Sequence, residues 1–87
     1  MQYKIGMVVR SNAGHDKNRY YVLTDVVDGR GFIADGKRRK LEKPKSKNLI
    51  HLSRTNTVFD MKELDTNLKI RRVLFAFNHE QAISVAE

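Results

Sequence analysis

The first 53 residues alternate between short runs of β-branched and aromatic residues and turns rich in Gly, Asn and Asp. This alternation predicts strands, and their close spacing leaves no room for helices between them. We expect five strands, over residues 3–10, 19–27, 32–34, 38–42 and 48–53, of which the fourth is very polar. Short strands joined by tight turns favour a small barrel over an open sheet, because closure removes exposed strand edges.

Turn residues define the connections between these strands. Ser, Asn, Gly and Asp make residues 11–18 a loop, since they supply turn hydrogen bonds or positive φ. Asp28-Gly29 predicts a hairpin turn, and Asp35-Gly36 predicts a second turn of the same type. Residues 43–47 form a loop that the only proline makes rigid.

The last third of the chain has helical periodicity. Thr66 is expected to cap a helix that starts at Asn67. An apolar stripe follows at helical spacing, formed by Ile70, Val73, Leu74 and Phe77. We expect this stripe to pack on the barrel. The chain is then one domain, with a barrel over residues 1–54 and a connector and C-terminal helix over residues 55–87.

Positive charge is concentrated in one segment. The chain has a net charge of +7, and residues 37–54 alone hold eight basic residues against one acidic residue, Glu42. Such clustering creates a field that attracts a polyanion, although it is also compatible with a solvated basic face that only confers solubility. Residues 37–40 would project to both faces of a strand, and Lys43, Lys45 and Lys47 would share one side of an extended loop.

The loop over residues 11–18 offers a second binding surface. Gly14 would let backbone N–H groups approach a phosphate closely, and Lys17 and Arg19 add charge beside it. The alternative is an ordinary hairpin loop in which Gly14 only supplies positive φ.

Catalytic and membrane signatures are not apparent in the sequence. There is no cysteine, so disulfides and Cys-based zinc sites are excluded, which fits a reducing cytosol. The histidines at positions 15, 51 and 79 lack ligand spacing, and no nucleophile motif or phosphate-binding Gly loop is present. No apolar run approaches the ~18 residues of a membrane span, and the N-terminus does not resemble a signal peptide. We therefore expect no enzyme activity, cofactor, metal, small-molecule substrate or membrane association.

Three segments resemble a known family. Residues 6–23, GMVVRSNAGHDKNRYYVL, resemble the KOW motif of large-subunit ribosomal proteins and NusG-type elongation factors, with its loop glycine and following Asp-Lys in Gly14-His15-Asp16-Lys17. Residues 34–52, ADGKRRKLEKPKSKNLIHL, resemble small bacterial KOW-domain proteins that are similar to archaeal and eukaryotic ribosomal proteins. Residues 66–74, TNLKIRRVL, resemble their C-terminal segment. Asn18 stands where many members carry a second glycine, and Asn is the next most tolerant residue for positive φ.

The resemblance implies a mainly β, SH3-like five-stranded barrel that binds structured RNA in the cytoplasm. Ribosomal RNA is the favoured partner, with ribosomal proteins as further candidates. The residues expected to bind RNA are Ser11, Gly14, His15, Lys17, Arg19, Lys37, Arg38, Arg39, Lys40, Lys43, Lys45, Lys47, His51 and Arg54. Tyr20, Tyr21 and Phe32 would either stack on an unpaired base or fill the barrel core, and the core is preferred. The alternatives are an SH3-like module that recognises an acidic protein partner and, less favoured, a small enzyme.

Overall fold

A mainly β fold with one C-terminal helix is found in the computed structural model, which describes the backbone of residues 2–86 and the side chains of residues 2–79. The strands are β1 (Met7–Ser11), β2 (Tyr20–Val27), β3 (Arg30–Ala34), β4 (Lys45–Asn48) and β5 (Leu52–Val58), and the helix is α1 (Asn67–Ala86). Short 3-10 turns lie at Gly14–Asp16 and Leu49–His51. Met1 and Glu87, the ends of the predicted domain, lie outside the described residues.

The strands form one antiparallel sheet in the order β4-β3-β2-β1-β5. The first four strands follow one another as a meander, and β5 then returns to pair with β1. Within the described residues β4 and β5 are the two edges and do not pair, so the sheet is not closed by hydrogen bonds. The Tyr3 hydroxyl lies 3.0 Å from the Leu49 carbonyl oxygen and 2.7 Å from that of Leu52, and so ties the N-terminal segment to the junction between these edges.

Each face of the sheet carries a buried cluster, while the end of β2 and most of β5 keep alternate side chains exposed. Side chains alternate between faces along a strand, so Val8 and Val9 enter different clusters. The first cluster contains Met7, Val9, Tyr21, Leu23, Ile33 and Leu52. The second contains Val8, Val22, Ala34, Leu64, Ile70 and Leu74. Because the second cluster includes side chains of α1, the helix is the cover for that face.

The predicted helix start and apolar stripe are confirmed. Thr66 Oγ1 accepts a hydrogen bond from the Lys69 backbone N–H at 3.2 Å, as an N-cap residue does. Ile70 and Leu74 are buried, and Val73 and Phe77 pack partly buried against the same cluster. Each fully buried Ile or Leu side chain contributes about 1.5–3 kcal/mol, so α1 is an integral part of the core.

The prediction for the fourth strand was wrong. Residues 38–42 form a loop, and β4 occupies the second half of the predicted proline loop and the first residue of the predicted fifth strand. Asp35 explains the difference, because its carboxylate binds backbone N–H groups that a hairpin would use for pairing. Asp28 and Gly29 both have positive φ, at 49° and 78°, whereas Asp35 does not, so the two turns are of different types.

The last strand also begins and ends later than expected. Asn48 Oδ1 accepts a hydrogen bond from the Ile50 N–H at 3.1 Å and starts the 3-10 turn Leu49–His51. Strand β5 follows this turn and continues to Val58, across the predicted boundary at residue 54. The first strand likewise starts at Met7 rather than residue 3, after a turn at Gly6.

Candidate nucleic-acid interface

Residues 37–43, here named the basic loop, are held at their base by Asp35. This side chain is 6% exposed, and its Oδ1 accepts the backbone N–H groups of Lys37 at 2.9 Å and Arg39 at 2.8 Å. The Asp35 N–H in turn donates to the Arg39 carbonyl oxygen at 2.8 Å. Because these bonds are made to the backbone, the cationic side chains of Lys37 and Arg38 remain exposed to solvent.

The other half of the basic loop is tied to the start of α1 by Asn67. Its Oδ1 accepts the Leu41 N–H at 2.8 Å, and its Nδ2 donates to Glu42 Oε1 at the same distance. Gly36 allows the close approach that this requires, since it has a φ of +78° and an added Cβ would lie 2.2 Å from the Asn67 carbonyl oxygen. The loop is therefore fixed to both the sheet and the helix.

A cleft of about 480 Å³ lies against this loop and is named the basic cleft. Its lining residues are Arg38, Arg39, Lys40, Lys43, Pro44 and Lys45. Five of the six are cationic, and no acidic residue is among them. The structure thus brings together five of the predicted RNA-binding residues on one concave surface.

Asp16 connects the basic cleft to the loop over residues 11–18. It lies in the 3-10 turn after β1 and is 1% exposed. The Tyr21 hydroxyl donates to its Oδ1 at 2.8 Å, while Oδ2 lies 3.5 Å from Arg39 Nη2, 3.3 Å from Lys45 Nζ and 3.8 Å from Lys47 Nζ. One buried carboxylate therefore holds three cations from β4 and the basic loop.

The environment of Asp16 stabilises its charged form. Burial by itself would raise the pKa of this carboxyl, but the hydrogen bonds from Tyr21 and Lys45 and the charge of Arg39 outweigh it, so the pKa is lowered. Burial, together with the hydrogen bond to Asp16 and its negative charge, raises the pKa of Tyr21. The pair is therefore an ionised carboxylate and a neutral phenol, which can donate to it.

Two predicted RNA contacts have buried side chains. Lys47 is 9% exposed, and its Nζ donates to the Ala13 carbonyl oxygen at 2.6 Å. Ser11 is 0% exposed, and its Oγ donates to the same carbonyl oxygen at 3.2 Å. Both side chains brace the loop and face away from solvent, so they do not belong among the direct phosphate contacts. Lys45 and Lys47, two of the three lysines expected on one side of an extended loop, both reach Asp16. Lys43 precedes β4 and lies in a turn, where its N–H donates to the Lys40 carbonyl oxygen at 2.9 Å.

The other predicted RNA contacts of the loop are accessible. Gly14, His15 and Lys17 are exposed, and Gly14 and Asn18 have the positive φ values of 73° and 68° that their residue types favour. Of the three rings expected in the core, Tyr21 is fully buried and Tyr20 packs partly buried against the second cluster, whereas Phe32 is only partly buried and belongs to neither cluster.

His51 and Arg54 lie outside the basic cleft. The side chain of His51 is exposed in its 3-10 turn, and its carbonyl oxygen accepts the Asn12 N–H at 2.8 Å. The Arg54 guanidinium lies 5.4 Å from the centroid of the Tyr3 ring and lines a different cleft, together with Lys4. The structure therefore does not bring Arg54 together with the main cationic cluster.

A second cleft, named the helix cleft, lies between the basic loop and α1 and has a volume of about 360 Å³. It is lined by Arg19, Asp35, Lys37, Arg71, Leu74, Phe75, Asn78 and His79. Arg19 and Lys37 were predicted site residues, whereas Arg71 and Phe75 were not. Arg71 and Phe75 are four residues apart and lie outside the apolar stripe, so the sequence already indicates that they share one exposed side of the helix.

The comparisons with known proteins do not assign the chain to a family. No protein-family model matches the sequence, and no curated protein matches it. Over the described residues, α1 included, no helix combines the length and hydropathy needed to cross a bilayer. The same part of the chain contains no group of three or more His, Asp or Glu side chains arranged to hold a metal ion.

Proposed function

We propose that this chain is an RNA-binding protein with an SH3-like barrel of the KOW class, which acts in the cytoplasm on ribosomal RNA. Such a barrel would contain the elements found here: a four-stranded meander, a 3-10 turn and a last strand that returns to β1. The basic cleft and the loop over residues 11–18 would grip the RNA backbone together.

The observation that carries this proposal is the basic cleft, with five cationic side chains and no acidic one among its lining residues. Phosphates carry a full charge each, so Lys and Arg gathered in this way gain affinity by releasing counterions. Arg39 and Lys45 are already paired with Asp16, with side chains 32% and 36% exposed. Arg38, Lys40 and Lys43 are therefore the main phosphate contacts, and Arg39 and Lys45 are preorganised beside them.

RNA is favoured over an acidic protein partner by the shape of the surface. The cationic groups project from a loop fixed at Asp35 and Asn67, and the cleft beside them contains no aromatic side chain. Duplex RNA is recognised largely through its shape and backbone, which a rigid cationic cleft can contact without stacking on bases.

The test is the salt dependence of binding to a structured ribosomal RNA fragment. The double variant Arg38→Gln/Lys40→Gln should bind at least tenfold more weakly, and its plot of log affinity against log salt should be less steep by about 1 to 2. Arg39 is left in place, because its loss would also disturb Asp16. The control variant Lys4→Gln/Lys62→Gln removes the same charge from exposed positions outside the basic cleft.

Equal losses in both variants would show that only net charge matters, and the basic cleft would not be the binding site. Tight binding of an acidic protein by a chain that does not bind RNA would support the protein-interaction module instead.

A further inference from the structure

An aromatic pair lies exposed on α1, next to the cationic surface. Phe75 is 60% exposed and is the aromatic residue among the exposed large hydrophobic residues of the described chain. Its ring stacks on that of His79, with centroids 3.8 Å apart and planes 14° from parallel. The His79 Nδ1 lies 3.0 Å from the Phe75 carbonyl oxygen, which fixes the orientation of the imidazole.

Cations surround this pair. Phe75 and Arg71 both line the helix cleft, which also contains Arg19 and Lys37. The same two residues also line a second, shallow depression, together with Leu68 and Arg72. An aromatic surface flanked by guanidinium groups is suited to a ligand that combines a flat ring with a negative charge.

The acidic residue of the helix cleft does not neutralise this surface from the solvent side. Asp35 is 6% exposed, and its Oδ1 is bound by the N–H groups of Lys37 and Arg39. Both clefts border the basic loop, because Lys37 lines the helix cleft and the next residue, Arg38, lines the basic cleft. An RNA that follows this loop would pass both clefts.

We propose that the Phe75–His79 pair is a stacking site for an unpaired nucleotide of the RNA whose backbone lies in the basic cleft. This inference rests on the proposed function and narrows its substrate class to RNA with a bulge or a helix–loop junction. Arg71 and Lys37 would contact the phosphates that flank the unpaired base. Stacking of one base on an aromatic side chain strengthens binding roughly 5- to 150-fold, and an exposed ring belongs at the lower end.

The experiment compares two RNAs that differ only in one unpaired nucleotide, a perfect hairpin stem and the same stem with a single-nucleotide bulge. The wild-type chain should bind the bulged RNA about five- to tenfold more tightly, and Phe75→Leu should bind both RNAs equally. Phe75→Tyr is the matched control, because it keeps an aromatic ring and should keep the preference. Phe75 is exposed, so circular dichroism should show the same fold in all three proteins.

A spectroscopic readout reports the stacking directly. 2-Aminopurine at the bulge should lose fluorescence when the wild-type or Phe75→Tyr protein binds, and should not do so with Phe75→Leu. Arg38→Gln/Lys40→Gln should weaken binding of both RNAs and leave their ratio unchanged, because it acts on the backbone contact alone.

Equal binding of the two RNAs by the wild-type chain would overturn the stacking site and leave RNA binding intact. Binding of neither RNA would instead reject the proposed function itself. A concentration-dependent dimer that Phe75→Leu abolishes in sedimentation experiments would assign the aromatic pair to self-association and also overturn the inference.

Discussion

Asp16 is the residue whose replacement tests the structure most directly. Asp16→Asn keeps the size of the side chain and its ability to accept the Tyr21 hydroxyl, but removes the negative charge that three cations share. Removing one partner of a buried ion pair costs about 3–5 kcal/mol. The side chains of Arg39 and Lys45 are about one-third exposed and can recover some hydration, so we expect a loss of about 2–3 kcal/mol.

Thermal and urea unfolding at neutral pH measure this loss directly. For a domain of this size, 1 kcal/mol corresponds to about 4–8 °C in Tm, so the variant should melt at least about 8 °C lower than the wild type. The expected pH dependence follows from the lowered pKa of Asp16. Its contribution to stability is complete above the unfolded-state pKa of about 3.9 and is lost as pH falls through the folded-state pKa. The difference between wild type and variant should therefore shrink below about pH 4.

A double-mutant cycle between Asp16→Ala, which removes the acceptor of the Tyr21 hydroxyl, and Tyr21→Phe provides the control. If Asp16 and Tyr21 interact as the 2.8 Å hydrogen bond indicates, the losses in the free energy of unfolding of the two single variants should not sum to the loss of the double variant. Additivity within about 0.5 kcal/mol, or an Asp16→Asn variant that melts like the wild type at neutral pH, would refute the reasoning.

Two further substitutions test how the basic loop and the helix are held. Gly36→Ala should destabilise the fold by more than about 2 kcal/mol in urea unfolding, because the added Cβ would overlap the Asn67 carbonyl oxygen. Gly29→Ala is the control: Gly29 has the same φ of +78° but open space around it, so this variant should lose only about 1 kcal/mol. Similar losses at both glycines would contradict the close contact. Thr66→Ala should cost about 1 kcal/mol, because it removes the hydroxyl that accepts the Lys69 N–H. Thr66→Ser keeps a hydroxyl at this position and should retain most of the stability. An unchanged Thr66→Ala melting curve would show that the cap does not matter.

Sequence reasoning worked where a local pattern sufficed. The Asp28-Gly29 turn and the cap at Thr66 depend on residues within a few positions of one another, and both occur as expected. The apolar stripe on α1 is likewise set by helical spacing, which the sequence displays directly.

Sequence reasoning was wrong where contacts from outside a segment decide its conformation. Residues 38–42 resemble a polar strand, but Asp35 and Asn67 satisfy their backbone from outside the segment. Asn67 is 26 positions from Leu41, so no local pattern shows this bond. The fourth strand forms instead at Lys45–Asn48, where the backbone pairs antiparallel with β3.

The sequence predicted which charged residues belong to the candidate site, but not how the fold arranges them. Charge density in the sequence predicted one cationic surface over residues 37–54, whereas the structure gathers only five of these cations around the basic cleft, with Lys47 buried and Arg54 at a different cleft. The burial of Lys47 and the role of Asp16 were not foreseeable, since a Lys or Asp is seldom buried and only the fold shows its partners.

The two buried clusters limit where this protein can meet a partner. Their side chains are not accessible, so the cationic clefts are formed by loops, the start of β4 and the outer side of the helix, while β5 offers alternate exposed side chains such as Arg54. Arg39 and Lys45 serve both the fold and the cationic surface, since they line the basic cleft and pair with Asp16. Arg38, Lys40 and Lys43 line the same cleft from exposed positions, so their charges can change while the interior stays the same.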